Sequence, residues 1–418
     1  MSRPLTAGDP PPAKSPALAT RVLVAATTGF LLAAPVTGSV ALRLACLALA
    51  AGALIALSRR ERLLAPGILP SGLVAAFAAW VLLAAASTAW SVRPAYTLSE
   101  LRPELAYPVI TFAVFFLAAS EPSRWRVWRD ALLAGAAALF LAEFARESLG
   151  SGNTRTWYGG PGSYSTHLAL LAPLVLALAW PRPWGAGRGT GALAAAFLVL
   201  FAAAWFTGNR IVWAAFFVSI AVAALAWRRA GGLASSAPRR AWRLAVPAAI
   251  AILVFFAASV AERSERLWPG RSDLAASVTG DLRPRLWAVG LAKLGERPVL
   301  GHGFGREILA EAFLPETPGN GHPPVTHAHN TFIDVALQLG LAGLAVFLWV
   351  LAALAREYLA LLRHGATAGA GVLGLAILAG YFTKNLTDDF LYRHNALVFW
   401  ALNGMLLGLA RRMGSERA

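Results

Sequence analysis

Residues 326–355 read THAHNTFIDVALQLGLAGLAVFLWVLAALA. Two histidines and an asparagine stand directly before an apolar run of about 25 residues, long enough to cross the ~30 Å hydrocarbon core of a bilayer. Asn330 is a good N-cap for that run. His329 is therefore expected one residue outside the helix, at its positive end. Upstream, Ala261 to about Asn330 is polar. This stretch interrupts a chain that otherwise reads as membrane, and it places an arginine-bearing loop and a histidine at the mouth of a buried helix.

Working outward, 57% of the 418 residues are hydrophobic and 14% are charged, where a soluble domain carries roughly a quarter charged residues. Apolar runs recur at about 21–36, 39–57, 69–89, 105–119, 128–146, 164–180, 190–206, 211–227, 243–260, 331–355, 367–386 and 394–410. Several are rich in Ala and Gly, as closely packed membrane helices are. The expected fold is an all-α polytopic membrane protein of about 12 transmembrane helices with one large, partly helical loop on the outer side. A soluble bundle would leave too much apolar surface to cover. The expected division is a disordered cytoplasmic tail at 1–20, nine spans over 21–260, the loop at 261–330, three spans over 331–410, and a short cytoplasmic tail at 411–418.

Orientation follows the basic residues, which favour cytoplasmic loops. With the N-terminus inside, 21 of the 37 Lys and Arg fall in the inner segments and eight in the short outer loops. Both termini are thus expected inside and the long loop outside. The net charge of +16 reads as this topology signal, with membrane lipids as partners of the inner loops. It does not read as a nucleic-acid surface, because the charge is divided among many loops. Cys46 is the single cysteine, so no disulfide can form within the chain.

The positive-inside tendency does not explain the outer arginines. Thr207-Gly208-Asn209-Arg210 makes a minimal turn that puts Arg210 at a helix start. Arg210 fits either a snorkelling anchor or a phosphate ligand acting with the free N–H groups of the helix end. Asp281-Leu282-Arg283-Pro284-Arg285-Leu286-Trp287 starts a short amphipathic helix, with Pro284 in its first turn. That helix could lie on the membrane, with Arg283, Arg285 and Lys293 near the headgroups. Gly301-His302-Gly303-Phe304-Gly305 fits a turn better than a phosphate nest. His327 and His329 are open to three readings: metal ligands lacking a clear third partner, structural histidines, or a general base at His329. Gly340 and Gly343 share a helical face that lets another helix come close. Thr387-Asp388-Asp389 and Arg393-His394 add charge at the same membrane level. Trp90, Tyr96, Trp157, Tyr158 and Tyr164 could stack on sugars or anchor the interface.

His329-Asn330, nine residues, then Gly340-Leu341-Ala342-Gly343 resembles the motif of the O-antigen ligase family, within the wider group of Wzy-type polymerases and O-oligosaccharyltransferases. Arg283 with Trp287 four residues later, the run Pro298, Gly301, Gly303 and Gly305, and the short turn bearing Arg210 are similar to the family's other motifs. Asn209 and Ile211 replace the small residues often found beside that arginine.

The resemblance implies a GT-C-like glycosyltransferase of the bacterial inner membrane with its active site facing the periplasm. The implied donor is a glycan on undecaprenyl diphosphate, and the implied acceptor is the lipid A core oligosaccharide. On this reading His329 is the catalytic base. Arg210, Arg283 and Arg285 bind the diphosphate, while Asn330, His327 and Asp389 support them. Asp389 would either orient His329 or balance an arginine. No metal and no cofactor is expected, because guanidinium groups can neutralise a leaving diphosphate in a dry site. The alternatives are a polymerase using two lipid-linked glycans, a protein O-oligosaccharyltransferase, and, in a different class, a small-anion transporter. The transporter should carry polar residues at mid-membrane, and these spans are nearly free of them.

Overall fold

The computed structural model describes residues 18–58, 69–119, 121–149, 157–180, 184–231, 236–267, 269–270, 281–313 and 327–415. Among them there are helices and no strand. The expected disordered tail falls on residues outside this set except at its end, where Leu18 opens the first helix. Among the described residues fifteen α-helices follow in order. They are α1 (Leu18–Ala33), α2 (Val40–Ser58), α3 (Ser71–Ala86), α4 (Pro94–Glu100), α5 (Tyr107–Ala118), α6 (Pro122–Ser148), α7 (Pro161–Ala177), α8 (Thr190–Phe206), α9 (Ile211–Arg229), α10 (Ser236–Leu267), α11 (Arg283–Glu296), α12 (Ile308–Phe313), α13 (Thr331–Leu361), α14 (Ala368–Lys384) and α15 (Arg393–Ser415).

Each apolar run of the sequence falls on a helix. Val40–Ser58, Ser71–Ala89, Pro94–Ala118, Ile211–Arg229, Val246–Arg266 and Thr331–Leu361 are long and apolar enough to cross a membrane, and α1, α8 and α14 are shorter apolar helices. The protein is an all-α polytopic membrane protein. α4 and α5 form one span through a wide π-helical turn at Leu101–Ala106, where Pro103 cannot donate a backbone hydrogen bond.

The remaining runs lie in α6, α7 and α15. Every residue of α7 from Ser163 to Ala177 is buried, and so is α15 from Asn395 to Ala410. A helix apolar on all faces belongs inside a bundle. α7 touches α6, α8, α9, α14 and α15, and α14 packs along α9. Phe30, Phe115 and Trp128 meet in one part of this core, and Tyr381, Phe399 and Trp400 in another.

Hydrogen bonds between described loops tie the bundle at both ends. At one end the Trp125 and Trp184 indoles donate to the carbonyls of Trp184 and Ala366. At the other, Thr37 N–H donates to Trp157 O at 2.5 Å, and the Trp90 indole donates to Leu300 O at 2.9 Å. All the histidines and arginines singled out above lie at this second end.

Candidate functional site

The site is built around a break in α13. Asn330 caps the helix, its side-chain oxygen accepting from Phe332 N and Ile333 N. Gly340 then leaves helical geometry with φ 68° and ψ −169°. A broken helix in a membrane must find new partners for its freed backbone groups, and here the loop 298–305 supplies them. Leu341 and Ala342 N–H donate to Pro298 and Val299 carbonyls. Leu337 and Gln338 carbonyls accept from His302 and Gly303 N–H. A Cβ on Gly340 would sit 2.1 Å from Val299 O. What comes close at Gly340 is therefore loop backbone, and the expected close approach of a second helix is replaced by this docking. At Gly343 the tightest neighbour is Leu339 of the same bent helix, at 2.0 Å.

The docked loop ends on Arg306, which the sequence reading passed over. Its position directly after the glycine run was the available signal. Arg306 is 7% exposed. Its Nη2 lies 2.7 Å from His327 Nε2, and its Nε lies 3.5 Å from Asp389 Oδ2. Its guanidinium covers the Tyr392 ring at 4.5 Å. Because guanidinium groups only donate, His327 Nε2 is the acceptor and the proton of that ring sits on Nδ1. Burial, then Arg306, hold His327 well below the usual imidazole pKa.

His329 lies beside His327, with ring centroids 4.0 Å apart and the ring planes tilted by 40°. Its φ is 52°, a left-handed conformation uncommon for residues other than glycine. Outliers of this kind cluster at functional sites. His329 Nδ1 lies 3.1 Å from Asp388 Oδ1, so the carboxylate facing it is Asp388. Asp389 instead accepts from Thr331 Oγ1 at 2.8 Å and balances Arg306. A carboxylate on Nδ1–H fixes the tautomer and leaves Nε2 with its lone pair.

Asp388 is the hub of the site. Its Oδ2 pairs with the Lys384 ammonium, which is fully buried, and its Oδ1 also meets Arg283 Nη2 at 3.5 Å. Burial opposes its charge, but Lys384, His329 and Arg283 together hold its carboxyl well below the usual carboxylate range. Lys384 also escaped the sequence reading, although a basic residue at the end of an apolar run is itself a signal.

Arg283 opens α11, which docks on α13 through Leu286 and Gly290. Its Nε donates to Thr387 O at 2.5 Å and its Nη1 to Asp281 Oδ2 at 2.8 Å. Arg210 reaches the same Asp281 oxygen at 3.3 Å. Burial lowers the Arg210 pKa, and Asp281 opposes that shift. Arg285 is exposed on the same helix and lies outside the cavity that Arg210 and Arg283 line. Lys293, at the far end of α11, pairs with Glu296 at 2.9 Å.

That cavity has a volume of about 910 Å³, within the range of ligand pockets. Its lining holds the basic Arg210, Arg263, Arg266 and Arg283 and the acidic Glu147, Glu262 and Asp281. It also holds the aromatic Phe144, Phe206 and Trp213. Trp287 is on its wall, and its buried indole N–H has no hydrogen-bond partner among the described residues. Thr387 brings the cavity to the residue preceding Asp388. Among the described residues, no three His, Cys, Asp or Glu side chains come together as metal ligands. Of the aromatics singled out in the sequence, Tyr158 and Tyr164 are buried and stacked on each other, while Trp157 is exposed.

The structure thus brings Arg210, Arg283, His327, His329, Asn330 and Asp389 to one end of the bundle and adds Arg306, Lys384 and Asp388. No curated protein matches the chain. The family model described as O-Antigen ligase matches residues 194–348, a segment holding the four arginines of the cavity, the glycine loop, both histidines and the break at Gly340. Asp388 and its neighbours complete the site from beyond that segment. Over residues 194–348 this polytopic membrane protein is similar to the O-antigen ligase family.

Proposed function

We propose that the protein is an O-antigen ligase that moves a glycan from undecaprenyl diphosphate to the lipid A core oligosaccharide, at the periplasmic face of the bacterial inner membrane. The acceptor hydroxyl attacks the anomeric carbon opposite the diphosphate. The carbon–oxygen bond to phosphate breaks, and its electron pair leaves with the diphosphate. His329 Nε2 takes the hydroxyl proton. Asp388 on Nδ1 stabilises the imidazolium that forms. Arg283 and Arg210 carry the growing charge on the leaving group, acting without a metal. A single displacement inverts the anomeric centre.

The observation that carries this reading is the shared oxygen of Asp388. It contacts Arg283 at 3.5 Å and His329 at 3.1 Å, so the leaving-group cation and the base are one hydrogen-bonded unit. The cavity supports it from the substrate's side: its four arginines suit a diphosphate and its aromatic residues suit a prenyl chain. The Trp287 N–H suits an oxygen of either substrate.

The test incubates purified protein with lipid-linked glycan, with and without core glycolipid. Product on the core glycolipid alone, with free undecaprenyl diphosphate released in equal amount, is expected. Lengthened lipid-linked glycan without the core glycolipid would identify a polymerase instead.

A further inference from the structure

A second group of cations lies at the same end of the bundle, and the transfer chemistry does not use it. Three helices begin there: α2, α7 and α15. His394 Nε2 lies 2.9 Å from Ser163 Oγ, and Asn395 Nδ2 donates to Ser163 O at 3.0 Å. These bonds tie the starts of α7 and α15 together. Arg43, in the first turn of α2, is 6% exposed and repels Arg393. His394 stands in the field of both.

The charge here is not balanced. Among the described residues, neither Arg43 nor Arg393 has a carboxylate within ion-pair distance. Arg43 has a single bond, long at 3.4 Å, from Nη1 to Ala34 O. Its buried Nε has no partner, nor do Asn395 Oδ1 and both ring nitrogens of His167. A buried guanidinium without a counter-charge, as at Arg43, is costly, and a second cation, Arg393, beside three helix N-termini adds to that cost. An anion would accept from Arg43 Nε and offset the charge of both arginines together. Arg393 is exposed and His394 partly so, so the cluster is open to an incoming group. Arg393 has φ 45°; a strained backbone holds this side chain where it is.

The cluster also adjoins the transfer site. Arg393 covers the Tyr392 ring at 4.7 Å and Arg306 covers the same ring at 4.5 Å. Arg306 is in turn bonded to His327. The cluster and the donor cavity therefore flank His329 from opposite directions along the chain of contacts.

We propose that Arg43, Arg393 and His394 form a binding site for the phosphate group of a lipid in the adjacent leaflet. Bidentate guanidinium contacts suit phosphate oxygens, and depth at the bundle rim suits a headgroup. The lipid is either an anionic phospholipid or a phosphorylated glycolipid acceptor. Only the second source rests on the glycosyl-transfer reading.

The test places the protein in phosphatidylcholine nanodiscs and counts bound lipid by native mass spectrometry. The probes are phosphatidic acid and core glycolipid, the latter intact or phosphatase-treated. Wild type is expected to retain the phosphate-bearing probes. Arg393→Asn, which tolerates the left-handed backbone, is expected to bind them at least about tenfold more weakly, as for loss of a charge-assisted hydrogen bond. Arg393→Lys, which keeps the charge, is expected to retain them. Displacement of phosphatidic acid by intact glycolipid identifies the acceptor as the natural occupant, and resistance to displacement identifies the phospholipid. Equal retention by wild type and Arg393→Asn, or equal binding of intact and phosphatase-treated glycolipid and no retention of phosphatidic acid, overturns the site. No donor is present, so that failure leaves the transfer reading standing.

Discussion

Replacing Asp388 by Asn separates two roles that the structure gives to one carboxylate. Asp388 is 4% exposed and meets Lys384, His329 and Arg283. Removing its charge leaves the fully buried Lys384 without a counter-charge, and breaking a buried pair in this way costs about 3–5 kcal/mol. The same change removes the group that fixes the His329 tautomer, because an amide can turn its NH₂ toward Nδ1. Loss of a positioned general base slows a reaction by about 10²–10⁴-fold, or about 3–5 kcal/mol of transition-state stabilisation. Stability and chemistry thus fall together in the single variant. The double variant Lys384→Met, Asp388→Asn removes the orphaned ammonium as well. Its thermal unfolding in nanodiscs should return close to wild type, while single-turnover transfer at saturating donor stays down by at least about 100-fold. Transfer restored along with stability would show that Asp388 serves Lys384 alone, and the proposed orientation of His329 would be wrong.

Further expectations follow from the same geometry. His327 is held neutral by burial and Arg306; the unfolded chain takes up a proton below about pH 6.5, so this group's contribution to stability is lost as pH falls below that value. His327→Gln should flatten that part of a melting-temperature profile, and an unchanged slope would count against the buried neutral ring. Gly340→Ala should destabilise by about 2–5 kcal/mol, from the left-handed backbone and overlap with Val299, and should lower transfer by displacing the loop that carries Arg306. A variant that melts and works like wild type would mean the loop does not dock there. Arg283→Lys keeps the charge but loses the planar fork, so binding of lipid-linked donor should weaken by roughly tenfold in a direct binding assay. Transfer by wild type should survive EDTA, whereas strict dependence on an added divalent ion would contradict charge neutralisation by arginine.

The helices were legible because the bilayer demands apolar length, and each run of the sequence forms one. α7 and α15 show the limit of that reasoning: burial inside a bundle and exposure to lipid write the same apolar code. In the site, the cap at Asn330 followed from local chemistry, since an asparagine before an apolar run has one good place to be. Arg283 and Arg210 were singled out because the positive-inside tendency did not explain them. The pairings were not legible. Asp388 and Asp389 are adjacent in the chain but face different partners, His329 and Arg306, and only the turn between α14 and α15 decides which. At helical spacing Gly340 reads as a helix-packing position, although its positive φ breaks the helix and receives the loop instead. Arg306 and Lys384 acquire their roles from partners on other helices, far away in sequence.

The central claim is that Arg283 and Arg210 hold a lipid diphosphate while His329 activates the acceptor hydroxyl. It is tested most directly by following transfer in His329→Ala, purified and reconstituted with lipid-linked glycan and core glycolipid, alongside donor binding. Wild-type donor affinity with transfer abolished is the predicted result. Transfer at the wild-type rate would remove the base from the mechanism.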